Sequence, residues 1–261
     1  MASTFAQRYG PYALVAGASE GLGAAFADAI ARRGVNLVLL ARREEQLGAT
    51  AARVKQAHGV DVIPVVADLA DIDRVTKLVG KLGVDVGLLV YDAAFAPIGP
   101  FEDATAEQLA QSAAVNVRAP LLLAKLLSAP MIARGRGGVL LMSSLAGSQG
   151  SPNIAAYAAT KAFNTVLAEG LWNELKPRGV DVLACVAGAI LTPGYQQAEG
   201  AKPAPGALAP EEVAEQALNA LGHGPIVIPG AVNKLGRFVL TRLLSRRAAI
   251  SIMSKNTGGL S

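Results

Sequence analysis

The chain has 261 residues, 52% of them hydrophobic, which is ample material for a large globular core. Its single cysteine, Cys185, excludes an intrachain disulfide framework. The opening MASTFAQRYGPY has no apolar signal core, and no run approaches the roughly 18 apolar residues of a spanning helix, so neither secretion nor a membrane span is expected and a reducing cytoplasm fits. The net charge of +4 is concentrated at the C-terminus, where no Asp or Glu follows Glu215 and the cations alternate with apolar residues, a pattern unlike a nucleic-acid patch.

Short apolar runs alternate with helical patterns in chain order. YALVAG (12–17) precedes a helix expected from about Leu22 to Arg33, and VNLVLLA (35–41) precedes one from Glu44 to about His58. VDVIPVVA (60–67) leads to a helix opening at Asp71; VGLLVY (86–91) leads to two helical stretches near 105–133. GGVLLM (137–142) is followed by a helix carrying YAATK (157–161), VDVLACV (180–186) by a helix near 211–221, and PIVIP (225–229) comes last. Strands apolar on both faces, separated by helices, specify a parallel sheet covered on both sides, so the fold class is α/β, a Rossmann-type doubly wound seven-stranded parallel sheet in a single domain spanning 1–261. Residues 188–210, rich in Gly, Pro and Ala, read as a substrate lid. Residues 232–261 form a basic amphipathic extension with Lys234, Arg237, Arg242, Arg246, Arg247 and Lys255 interleaved among Leu235, Phe238, Val239, Leu243, Leu244 and Ile250.

After the first strand comes AGASEGLG, with Gly17, Gly21 and Gly23 at the turn into a helix. Glycines there let backbone approach a pyrophosphate at the positive helix terminus. The second strand ends in Ala41-Arg42-Arg43. An acid at this point would bind the 2′-hydroxyl of NAD, whereas guanidinium groups, with Ser19 opposite, suit the 2′-phosphate of NADP, so NADP(H) is expected over NAD(H).

With that glycine spacing, VNV at 115–117, SSLAG at 143–147 and YAATK at 157–161, the chain resembles the short-chain dehydrogenase/reductase family over nearly its whole length. YGPYALVAGASEGLG and NLVLLARREEQL look closest to a bacterial branch near ketoacyl and hydroxysteroid reductases. The resemblance implies catalytic roles for Asn116, Ser144, Tyr157 and Lys161. It implies cofactor contacts at Gly17, Ser19, Gly21, Leu22, Gly23, Arg42, Arg43, Asp68, Leu69, Ala93, Lys161, Gly188 and Thr192, with Asp68 and Leu69 at the adenine. The chain departs from the family pattern at Ala16, at Tyr91-Asp92-Ala93-Ala94 in place of Asn-Asn-Ala-Gly, and at Ala187. All three departures adjoin the expected cofactor.

Tyr157 and Lys161 are four residues apart, so on a helix their Cβ atoms lie roughly 5–6 Å apart on one face. A ketone reduction takes its hydride from the nicotinamide and its proton from the protein. Lys161 is expected to draw the phenol's pKa down and to hold the nicotinamide ribose, Ser144 to donate to the substrate oxygen, and Asn116 to hold a water leading from Lys161 to solvent. Phe95, Ile98, Phe101, Leu145, Ile154 and Tyr195 are candidate walls for an uncharged or long-chain carbonyl or alcohol. His58 and His223 lack ligand-like company, so no metal is assigned. Relatives pair the helix bearing Leu171, Trp172 and Leu175 with its copy, which implies a homodimer or homotetramer. The tail is expected either to cover the cleft or a subunit, or to make peripheral contact with an anionic membrane. The leading expectation is therefore a carbonyl–alcohol oxidoreductase; its rivals are a dinucleotide sensor or scaffold with little turnover, and a reductase held at a membrane by its tail.

Overall fold

A computed structural model describes residues 4–193, 195 and 204–257. Seven strands form one sheet: β1 (Tyr12–Ala16), β2 (Asn36–Ala41), β3 (Val62–Val66), β4 (Val86–Tyr91), β5 (Gly137–Ser144), β6 (Val180–Ala187) and β7 (Ile226–Val227). Their order is β3-β2-β1-β4-β5-β6-β7 and every pairing is parallel. The order reverses between β1 and β4, which opens a crevice at the carboxyl ends of those strands, the usual ligand position in such sheets. PIVIP yields only the two-residue β7, because its two prolines have no N–H to donate to a ladder.

Alternate strand residues feed two cores. Val15, Leu39, Val90, Leu140, Met142 and Cys185 point to one face, covered by α1 (Phe5–Tyr9), α2 (Gly21–Ala31), α3 (Glu44–His58) and α8 (Pro210–Ala220). Leu14, Leu40, Leu89, Tyr91, Leu141 and Val182 point to the other, covered by α4 (Ile72–Gly80), α6 (Ala119–Arg134) and α7 (Ala155–Leu175). This is the two-sided burial that the uniformly apolar strands require.

The short α1 was not expected from the sequence. It rests on a Thr4–Gln7 capping box and is tied to the sheet by Asp181, whose Oδ2 accepts from Tyr9 Oη at 2.8 Å and from Arg8 Nε at 2.5 Å. Helix α5 (Ala106–Ala113), a π-helical turn (Ala114–Arg118) and α6 run on as one helical stretch. By length and composition that stretch is sufficient to cross a membrane, but Val115, Ala119, Leu123, Leu127 and Met131 are buried against the sheet, which accounts for its apolar character.

Of the expected lid, residues 194 and 196–203 lie outside the described residues. Its two ends are clipped together: Leu208 N–H donates to Ala189 O at 3.1 Å and Leu191 N–H to Leu208 O at 2.9 Å. The tail forms α9 (Ala231–Phe238), a π-helical turn (Val239–Leu243) and α10 (Arg246–Thr257). It returns to the body of the protein where Arg246 Nη1 donates to Ser148 O at 2.9 Å and where Ala249 is fully buried.

Candidate active site

The crevice is a cavity of about 1420 Å³. The glycine turn forms one end. Gly17 has φ +97°, and a side chain there would strike the backbone of Ala93 at 2.7 Å; Gly21 has φ +56° and a Cβ would meet Thr192 at 3.1 Å; a Cβ on Gly23 would lie 2.2 Å from Gly17 O. Each glycine is therefore required by the fold of the turn as well as by its openness. Glu20, the N-cap of α2, makes no side-chain capping bond. Among the described residues the N–H groups of Gly21 and Leu22 have no acceptor, and both residues line the cleft, which leaves a helix N-terminus fit for a phosphate.

Ser19, Arg42, Arg43, Asp68, Leu69, Ala93, Gly188 and Thr192 line the same cavity. Arg43 Nη2 lies 2.7 Å from Glu20 Oε1 and donates to Ser19 Oγ at 2.9 Å. Asp68 Oδ1 accepts the Ala70 N–H at 2.9 Å, which shapes its own turn. Gly188 is pressed against Asn233 of α9: a Cβ there would sit 2.5 Å from Asn233 Oδ1. The glycine turn and the open cradle together fit a nicotinamide dinucleotide.

Ser144, at the end of β5, and Tyr157, in the first turn of α7, both line the cleft wall, and the serine hydroxyl is near enough to the phenol to lower its pKa. Lys161 Nζ stands 5.5 Å from the centre of the Tyr157 ring and donates to Met142 O at 3.0 Å. Its backbone is held by Ser143 Oγ, which donates to Lys161 O at 2.7 Å. A serine beside the expected one thus positions the lysine, a role that SSLAG concealed because both serines look alike in sequence.

The structure corrects the expected electrostatics. Burial pushes the Tyr157 phenol up to about 12; the Ser144 hydroxyl opposes this and the Asp92 charge adds to it. Lys161 does not offset the rise, because its ammonium points to the Met142 carbonyl rather than to the phenol oxygen, and burial pushes Lys161 itself down to about 8 with Asp92 opposing. Asn116 is buried and fully engaged with its neighbours. Its Nδ2 donates to Phe95 O at 2.7 Å and Thr160 Oγ1 at 3.0 Å, and its Oδ1 accepts the Phe95 N–H at 2.8 Å. These bonds fasten the loop after β4 to α7 from a π-helical turn whose Val115 O accepts from the Tyr91 phenol.

Phe95, Ile98, Leu145, Ile154 and Tyr195 line the cavity as expected, but Phe101 does not: it sits on an outward 3₁₀ turn, 63% exposed. Its place in the wall is taken by Val232, Leu240 and Met253, so the tail covers the cleft. Apolar–basic periodicity signalled an amphipathic segment there without saying which surface it meets. Leu171, Trp172 and Leu175 lean on the core of their own chain, while Val166 is the outward apolar residue of α7 at 66% exposure. His58 bonds Asp28 at 3.0 Å and His223 bonds Leu221 O at 3.2 Å.

The short chain dehydrogenase family profile matches residues 11–202. The chain is 34% identical to a 7beta-hydroxysteroid dehydrogenase of Collinsella aerofaciens over 236 residues, covering 87% of this chain and 89% of that protein. A solved 7beta-hydroxysteroid dehydrogenase superposes with a TM-score of 0.90 at 31% identity, over 96% of this chain and 99% of the other. A short-chain dehydrogenase from Sphingobium yanoikuyae, solved in complex with NADPH, superposes with a TM-score of 0.76 at 32% identity over 84% and 87%.

Proposed function

Because the chain belongs to the short-chain dehydrogenase family of oxidoreductases, we propose that it interconverts a bulky apolar ketone and its alcohol, with NADP(H) preferred over NAD(H). The observation that carries this reading is that Ser144 and Tyr157, with Lys161 Nζ 5.5 Å from the tyrosine ring centre, line one large cleft walled by Phe95, Leu145, Val232 and Leu240. The bound nicotinamide supplies the hydride. The phenol, protonated at neutral pH, holds the proton at Oη, and Ser144 Oγ donates to the substrate oxygen as negative charge grows there. A phenol kept protonated by burial suits the reductive direction, in which it acts as an acid.

Ser19 and Arg43 form a polar fork beside the glycine turn, where a 2′-phosphate would take the place of Glu20 on Arg43. The apolar walls, together with the hydroxysteroid dehydrogenase relatives, support a steroid-like ketone or alcohol ahead of a small acid. Asn116 is a positioning residue in this reading. The lone buried Cys185 suits a reducing cytoplasm, and the outward Val166 on α7 suits a homodimer or homotetramer, which the mass in solution measured by light scattering checks.

The deciding experiment is turnover of a panel of steroid and long-chain ketones and alcohols with NADPH and NADH, with Tyr157→Phe alongside. Reduction that depends on Tyr157 and favours NADPH is expected. A variant as active as the wild type would overturn the assignment of the acid, and binding of neither nucleotide would leave a protein of this fold without its chemistry.

A further inference from the structure

Helix α9 buries one of its eight side chains, and that side chain is polar: Asn233, 5% exposed. Its partners fix which way the amide faces. Nδ2 donates to Gly206 O at 3.0 Å and to Pro229 O at 2.9 Å, and two carbonyls can be met only by the nitrogen, so the oxygen is held away from them. Asn233 Oδ1 sits in a notch made by two glycines: a Cβ on Gly188 would come within 2.5 Å of it and one on Gly206 within 2.7 Å. No described residue donates to this oxygen. It is not sealed off either, for among the described residues the buried polar atoms without a partner are Arg134 Nε, Gln149 Oε1, Asn164 Oδ1 and Arg237 Nε. Asn233 lines the cleft together with Gly188, which follows β6, and with Val232 and Leu240 of the tail.

We propose that Asn233 is a specificity-determining residue whose Oδ1 accepts a hydrogen bond from a hydroxyl of the substrate other than the reacting group, so that the cleft selects bulky apolar ketones and alcohols carrying a second hydroxyl. This deepens the reading of the site given above and rests on it. An amide oxygen only accepts, so it has nothing to offer the reacting carbonyl, whose hydrogen bonds come from Tyr157 and Ser144. Its companions Val232 and Leu240 belong to the apolar wall of the tail, which assigns the oxygen to the substrate rather than to the nucleotide. Selection works through a penalty. In an open cleft solvent meets Oδ1, but under a bulky ring system solvent is excluded, and the oxygen is then either paired by the ligand or left orphaned. A ligand without a donor at that point loses about tenfold in affinity. The bonds to Gly206 and Pro229 stop the amide from turning over to offer an N–H instead, so an acceptor-only group does not substitute for the hydroxyl.

The test measures, by titration calorimetry, binding of steroid ketones to the protein loaded with NADP⁺, a combination that cannot turn over. The ketones come in sets with a hydroxyl, a hydrogen or a fluorine at one second ring position, fluorine being close to hydroxyl in size but without a proton to donate. For at least one ring position the hydroxyl member is expected to bind about tenfold more tightly than the other two. Asn233→Ala should bring the three within about twofold of one another and leave NADP⁺ affinity within about twofold of the wild type. Damage from the lost bonds to Gly206 and Pro229 weakens all three members alike, so their ratio isolates the oxygen. Should the alanine variant fail to fold, Asn233→Ser takes its place, since its hydroxyl can still donate to the Pro229 carbonyl one turn earlier while withdrawing the acceptor from the notch. Equal wild-type affinities at every ring position, a preference that survives in the variant, or a loss that falls on NADP⁺ instead, which would give the oxygen to the nicotinamide carboxamide, overturns the proposal. Binding needs no turnover, so the two readings fail separately. Asn233-dependent hydroxyl selection in a protein that reduces none of the ketones with NADPH sinks the proposed activity and keeps the acceptor, whereas Tyr157-dependent reduction without hydroxyl preference does the reverse.

Discussion

Arg43→Ala tests coenzyme choice at a single side chain. Arg43 is the N-cap of α3, and its side chain is 47% exposed while contacting Glu20 at 2.7 Å and Ser19 at 2.9 Å across the glycine turn. A solvent-exposed arginine–carboxylate pair contributes about 0.5 kcal/mol, whereas hydrogen bonds from a guanidinium to a charged acceptor contribute about 1.5–3 kcal/mol. Exchanging Glu20 for a 2′-phosphate thus leaves a net gain of about 2 kcal/mol, or about 30-fold in affinity. By titration calorimetry at low salt, Arg43→Ala should weaken NADPH binding by about that factor and NADH binding by no more than about threefold, with the gap narrowing as salt screens the contact. Glu20→Gln should tighten NADPH by at most about fivefold in the wild type, since it removes a competitor worth under about 1 kcal/mol, and should do nothing in the Arg43→Ala background. Equal losses for the two coenzymes would refute the reasoning, because Arg43 would then act only by bracing Ser19.

Other expectations concern the acid, the turn and the N-terminal anchor. Tyr157→Phe should lower the reduction rate by about 10²–10⁴-fold with nucleotide affinity nearly unchanged, and the difference in ultraviolet titration between wild type and variant should place the phenol above the ordinary tyrosine range, near 12. Gly23→Ala should cost about 1–3 kcal/mol in urea unfolding and abolish nucleotide binding, because its Cβ meets Gly17 O at 2.2 Å, a backbone atom that cannot yield. Gly48→Ala, in α3 with nothing within 4 Å, should instead stabilise by up to about 1 kcal/mol. Asp181→Ala should lower stability by about 2–3 kcal/mol in the same assay, since it leaves the buried Tyr9 hydroxyl without its acceptor and releases Arg8; a loss under about 0.5 kcal/mol would show that α1 is not anchored there.

The sequence alone determined what depends on near neighbours. Runs such as VNLVLLA and VDVLACV form strands buried on both faces because both sides of each residue pair are apolar. Glu44–His58 begins and ends as a helix where its pattern does, closed by Gly59 at φ +69°. The order of glycine turn, Ser144, Tyr157 and Lys161 was likewise legible, since each is a short local signature. Tertiary structure decided everything that depends on desolvation and on elements distant in the chain. Tyr157 and Lys161 are neighbours on α7 as their spacing requires, yet burial and the direction of the ammonium, not that spacing, govern the phenol. Phe101 and Leu240 are equally apolar, and only the path of the backbone puts one in solvent and the other in the cleft wall. Asp92 shows the division within one residue: its identity as a departure stands in the sequence, but only folding sets it in the cleft wall beside β1, its N–H donating to Ala16 O at 2.9 Å.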